Sequence, residues 1–172
     1  MAALRDRFGA PLAARRGDAD IALRDGERIG PLRALETPGH AGDHLAFVAG
    51  TVCFSGDLVL GEGSVVLGRE PHALADYLRS LRRLRALDLE LIAPGHGPLV
   101  EDPAAKLDEY LAHRQAREDA LVAALRDGLR ERDELLDRVW PGVSGELRAA
   151  AGRTLAAHLE KLADEGRLPA AQ

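Results

Sequence analysis

"TPGHAGDH", residues 37–44, puts two histidines and an aspartate into a turn that opens with Pro-Gly. Alone it reads as an ordinary polar loop, since a histidine after a turn is common. What surrounds it gives it weight. "PLRALE" leads into it, and "HLAFVAGTVCFSGD" follows as two apolar, β-prone runs flanking Gly50, the pattern of a hairpin whose second strand ends at Gly56-Asp57. Farther on, "LELIA" reads as a short buried strand ending in "PGHGP", residues 94–98. His40, Asp57 and His96 therefore share one arrangement, each standing just after a strand. Strand ends far apart in sequence can converge on one rim of a sheet, because the sheet holds them close together.

Imidazole and carboxylate suit zinc, iron or manganese, and the two oxygens of a carboxylate can bridge two ions. Asp57 is the natural bridge. Such ions make water a nucleophile near neutral pH, which is the chemistry of hydrolysis. The glycine-rich loop "LVLGEGSVVLGRE" between Asp57 and the next helix can approach a ligand closely.

Around this centre the chain begins with the helix-prone "MAALRDRF", stopped by Gly9, and "DIALRDGERIG" reads as two short strands about an Asp-Gly turn. Pro71 opens a helix carrying Leu74, Leu78, Leu81 and Leu84 at helical spacing. Asp102 and Pro103 cap a long helical stretch that ends at Gly128. Composition shifts near residue 113. Beyond it lie three helical segments and an extended tail, "RLPAAQ", the outline of a winged helix. The fold class is thus α+β, with one domain over 1–112 and a helical module over 113–172.

"TPGHAGDH", "FSGDLVLGEGS" and "IAPGHGPLV", in that order and with "LDEYLAHRQARE" after them, resemble the second half of a metallo-β-lactamase-fold hydrolase of the group with a C-terminal winged helix. The resemblance implies the C-terminal half of an αββα sandwich. It also implies that His40 binds a first metal ion, Asp57 bridges and His96 binds a second, the pair being zinc or else iron or manganese. That family's HxHxDH signature, the source of its other ligands, does not occur here, and "MAALRDRFGAPLAAR" resembles what directly follows it. The expectation is an N-terminally truncated chain with one histidine and a share of Asp57 per ion, weak metal occupancy and little hydrolysis. The missing strands would leave an exposed sheet edge and apolar surface that favour homo-oligomerisation.

The substrate class stays open between a small ester or thioester, a phosphodiester and, as in some relatives of that group, single-stranded RNA. A non-catalytic remnant serving as an interaction module is the competing reading. His44 is read either as a partner of a ligand or of the substrate, or as a satisfied structural histidine. His113 is expected to hydrogen-bond across the junction of the two modules, His72 to be solvated, and His158 to sit in or on the winged helix. Cys53 and the aromatic residues Tyr77, Tyr110 and Trp140 read as packing.

Charge narrows the partners. The 172 residues carry a formal net charge of -5, and from residue 113 onward ten Arg and Lys face eleven Asp and Glu. Neither supplies the positive field that duplex DNA requires. No apolar run approaches the roughly 20 residues of a membrane span, and the single cysteine suits a reducing compartment. A cytoplasmic location without a membrane partner is the expectation.

Overall fold

Gly50 sets the register of the central hairpin. At φ 58° it occupies the left-handed region that a two-residue hairpin loop needs. Strands β5 (Leu45–Ala49) and β6 (Val52–Gly56) consequently pair antiparallel with Ala49 opposite Val52 and Phe47 opposite Phe54. The computed structural model describes residues 7–169 and builds a five-stranded sheet around that hairpin. Its order is β3 (Arg28–Ile29), β4 (Leu32–Glu36), β5, β6 and β7 (Leu91–Pro94), antiparallel except for the parallel pair β6–β7. A parallel neighbour requires a crossover. Helix α1 (Ala73–Arg85) supplies it.

The sheet has two unlike faces. Val48, Cys53 and Ile92 form one cross-strand row that faces the helices and is buried. Leu74, Leu81 and Leu84 of α1 and Leu107 of α2 (Pro103–Arg126) close over it, each essentially without solvent contact. A leucine so buried contributes about 1.5–3 kcal/mol. On the other face Phe47, Phe54 and Ala93 form a row, and Phe54 remains exposed.

Asp102 caps α2 by accepting a hydrogen bond from the Ala105 amide at 2.9 Å, and Pro103 begins it. The helix runs unbroken past residue 113 and serves two cores. Leu107 and Tyr110 join the sheet core, whereas Leu121, Ala124 and Leu125 pack with α3 (Arg132–Val139) and α4 (Gly145–Asp164). Among the described residues no strand follows β7; the chain after α4 is turn and bend to Pro169, and residues 170–172 of the expected extended tail lie outside them.

Three local expectations need correction or restriction. The first six residues of "MAALRDRF" lie outside the described residues, with Arg7 and Phe8 helical before Gly9. The strands flanking Asp25-Gly26 do not pair with each other: β2 (Ile21–Ala22) runs parallel to β1 (Ala13–Ala14), and β3 pairs with β4. The reason is that the turn is pinned to β4, through Gly26 N–H to the Ala34 carbonyl and Glu36 N–H to the Asp25 carboxylate. Pro71 lies in a turn, and α1 starts two residues later with His72 as its cap at φ 62°, a strained value for a histidine. His72 is tied to α4, its N–H donating to Glu160 at 3.1 Å and its Nδ1 lying 3.0 Å from Asp164.

Candidate metal centre

The turn that opens with Thr37 is fixed from several sides. Thr37 N–H donates to the His44 carbonyl, Gly68 N–H to the Gly39 carbonyl, the Ser80 hydroxyl to the Pro38 carbonyl and the Arg15 guanidinium to the Gly42 carbonyl. Gly39 itself, at φ 137°, lies so close to α1 that a Cβ there would sit 2.5 Å from Tyr77 Cα. Only glycine fits.

So held, the loop points the His40 ring toward the end of β6. Its Nδ1 stands 3.0 Å from the Val66 carbonyl, a contact in which the nitrogen must donate. The proton therefore sits on Nδ1, which leaves the Nε2 lone pair free. That Nε2 lies 3.6 Å from one oxygen of Asp57, and His96 Nε2 lies 3.5 Å from the other. His40 and Asp57 are each about a third exposed and His96 more so. The three residues that the sequence singles out thus meet on one rim, two imidazoles flanking a single carboxylate.

Glycines make this approach possible. A Cβ on Gly95 would lie 2.7 Å from Asp57 Oδ1, and one on Gly56 would lie 2.8 Å from His44 Nε2. The Gly95 amide donates to the Gly56 carbonyl, and the Gly61 amide to that of His96, locking the two loops together. The loop after Asp57 is likewise held by side chains of α1 and α2: Tyr77 donates to the Leu58 carbonyl, Tyr110 to that of Gly63 and Arg114 to that of Val65.

His44 is bonded on both ring nitrogens. Its Nε2 accepts the Asp57 amide at 3.3 Å, so Nδ1 carries the proton and donates to the Thr37 hydroxyl at 2.8 Å. Burial, with a smaller push from His40, holds its pKa below the usual imidazole value and keeps it neutral. It cannot offer a lone pair to an ion without breaking the bond to the Asp57 backbone.

The donor set fits divalent metal in an incomplete way. At 3.5–3.6 Å the imidazole–carboxylate separations exceed hydrogen-bond length. They match instead the ligand-to-ligand edge of about 3.4 Å in a tetrahedral site with bonds near 2.1 Å. Yet among the described residues no three His, Cys, Asp or Glu side chains converge on one point that could hold an ion. Each side of Asp57 has one imidazole.

The other histidines lie elsewhere. His113 makes no hydrogen bond among the described residues, contrary to expectation, because α2 turns it outward, where it is exposed and borders a cavity. His158 is fully buried in the helical module. Burial pushes the Cys53 thiol up to about 12, so it is a small core hydrophobe. Sequence reasoning missed Val66, which acts through its backbone carbonyl and has no side-chain signature, and Thr37, whose hydroxyl opens the quoted motif.

Comparison with known proteins gives the same picture of ancestry. Residues 4–96, more than half of the chain, match the metallo-beta-lactamase superfamily, and residues 132–170 match the beta-lactamase associated winged helix domain. The chain is 35% identical over 142 residues to a beta-lactamase-like protein 2 homolog of Drosophila melanogaster, covering 80% of this chain and 47% of that protein. It is 33% identical to a homolog of the same description from Caenorhabditis elegans, covering 78% and 45%. Among solved structures, a metallo-beta-lactamase family protein from Thermus thermophilus superimposes with a TM-score of 0.72 at 39% identity, over 85% of this chain and 50% of the other. A beta-lactamase domain protein from Burkholderia ambifaria gives 0.78 at 25% identity, over 87% and 48%. The chain spans about half the length of these relatives. By motif order, strand topology and these matches, it belongs to the metallo-beta-lactamase superfamily and carries that group's winged-helix domain.

Proposed function

We propose that this chain carries one side of the active centre of a metal-dependent hydrolase, with His40 and His96 each holding one of two divalent ions and Asp57 shared between them. One observation carries this reading: two imidazole Nε2 atoms face opposite oxygens of a single carboxylate. Zinc is the first candidate, with iron or manganese compatible with the same donors. When bound, such ions supply the Lewis acidity that makes water a nucleophile near pH 7. The Val66 carbonyl fixes the His40 tautomer, and His44 holds the Asp57 backbone. The Asp57 carboxylate supplies the negative charge that both positions share.

With one imidazole and half a carboxylate per ion, the affinity of these residues is low, and full coordination requires further donors. Esters, thioesters and phosphodiesters, including single-stranded RNA, all yield to the same activated water. A setting in the cytoplasm suits the single buried thiol. No helix among the described residues is long and apolar enough to cross a membrane. The domains divide along α2, where its contacts pass from the sheet core to the helical core on either side of the 112/113 boundary.

A second reading, an interaction module, is favoured by the open sheet face that exposes Phe54, through which two copies would associate. Calorimetric titration with zinc, iron(II) and manganese(II) separates the two. The hydrolase reading expects two ions per chain and loss of both in Asp57→Asn, with His40→Ala and His96→Ala each losing one. Equal uptake by wild type and Asp57→Asn would refute it, and an inert, metal-free protein that dimerises would establish the second reading.

A further inference from the structure

A cavity of about 240 Å³ lies between the loop that follows Asp57 and the helical module. Its walls are Val66, Trp140, Val143 and Leu147, with Ala150 and Ala151 at the base of α4. Val66 and Leu147 are exposed apolar side chains, 41% and 71% accessible, and both belong to this cavity. The polar part of the lining is Arg114, Arg117 and His113 with the hydroxyl residues Ser64 and Thr154, and no carboxylate takes part in it.

The polar groups are unusual. Arg114 is 3% exposed and donates to the Val65 carbonyl, yet its Nε has no hydrogen-bond partner. A buried unpaired donor on a cation is costly, so its persistence calls for a reason. Arg117 stacks over the Trp140 ring at 5.6 Å and donates only to the Val139 carbonyl, leaving its other donors unused. Apolar walls, the remaining donors of Arg117 and two hydroxyls, with no acid among them, suit a ligand that is apolar along its length and negatively charged at one end.

The cavity also adjoins the metal centre. Val66 forms the link, since its carbonyl accepts from His40 Nδ1 while its side chain lines the cavity.

We propose that this cavity binds the apolar, negatively charged part of a small acyl substrate, so that the winged-helix domain supplies substrate recognition to the neighbouring centre. The assignment to substrate rests on the hydrolase reading above. Binding itself does not.

Trp140 is the chain's single tryptophan, so its fluorescence reports on this cavity alone. Decanoate and the uncharged 1-decanol are the probes, titrated into metal-free full chain. The expected result is a saturable change with decanoate at or below the millimolar range, at least about tenfold weaker binding of 1-decanol, and a similar loss in Leu147→Glu. Leu147 is mostly solvent-exposed, so that variant keeps its fold, which circular dichroism verifies. Equal affinity for the acid and the alcohol, or an unaltered affinity in Leu147→Glu, would overturn the proposal. His96→Ala is expected to bind decanoate as wild type does. A chain that takes decanoate but no zinc sinks the hydrolase reading and leaves the cavity assigned, whereas zinc without decanoate does the reverse.

Discussion

Two histidine–carboxylate clusters of nearly equal spacing occur in this protein, one at the sheet rim and one among the C-terminal helices. On the sheet rim, His40 and His96 stand 3.6 and 3.5 Å from Asp57; in the helical module, His158 stands 3.6 Å from Glu118. Their surroundings differ completely. The rim cluster is open to water at every member, whereas His158 and Glu118 are 0% and 3% exposed. Glu118 accepts from Lys161 at 2.8 Å and from Arg167 at 2.5 Å, and His158 has no hydrogen-bond partner on either ring nitrogen. Burial alone would raise the Glu118 pKa, but the two cations outweigh it and hold the group below its usual value. The same residue types thus serve opposite ends. In the open cluster lone pairs stay available, while in the closed one every charge is committed to holding helices together.

The comparison can be broken most forcefully at Gly39. Gly39→Ala combines a Cβ 2.5 Å from Tyr77 Cα with a left-handed φ, and should cost about 3 kcal/mol or more. Denaturant midpoints measure it, and a loss below about 1 kcal/mol would show that the rim loop moves independently of α1. Next comes Glu118→Ala, which removes the buried acceptor shared by Lys161 and Arg167 and leaves a cavity beside His158. We expect a loss of about 2–3 kcal/mol, less than for an isolated buried pair because Glu165 still receives Lys161 and Arg167.

His44→Leu should cost about 1–2 kcal/mol by freeing the Asp57 amide and the Thr37 hydroxyl. It should also weaken zinc binding about tenfold or more, through the misplaced Asp57. Zinc affinity unchanged against lowered stability would make His44 purely structural.

A further effect is one of pH. Burial drops the His158 imidazole from its ordinary 6.5 to about 4, with Glu118 opposing the shift. The unfolded chain therefore takes up a proton before the folded one, and the stability of the neutral, buried form is complete above pH 6.5 and is lost as pH falls toward 4. Melting midpoints should decline across that window in wild type and decline less in His158→Leu. Parallel declines would place the acid sensitivity elsewhere.

Much of the fold was legible in the sequence because its signals are local. Gly50 between two apolar runs gives the β5–β6 hairpin, Asp102-Pro103 gives the start of α2, and leucines at helical spacing give α1. Local signals failed where a distant partner decided. Asp25-Gly26 is a turn, as read, yet its strands join different sheets because β4 captures it. His72 begins α1 in place of Pro71 because Glu160 and Asp164, nearly 90 residues away, bind it there. His113 was expected to bond across the module junction and instead faces a cavity, since the helix phase alone cannot tell what stands opposite.

The residue types and their order along the chain carried the family resemblance and singled out the three rim residues, because a histidine or aspartate in the loop after a strand lies at the strand-end rim of the sheet. Tertiary packing decided the rest: that the two imidazoles take separate oxygens of Asp57, that His44 is spent on the Asp57 backbone, and that Arg114 and Trp140 border a cavity. Such outcomes depend on distances between segments dozens of residues apart. Those distances are set by how the helices seat on the sheet, which no short stretch of sequence encodes.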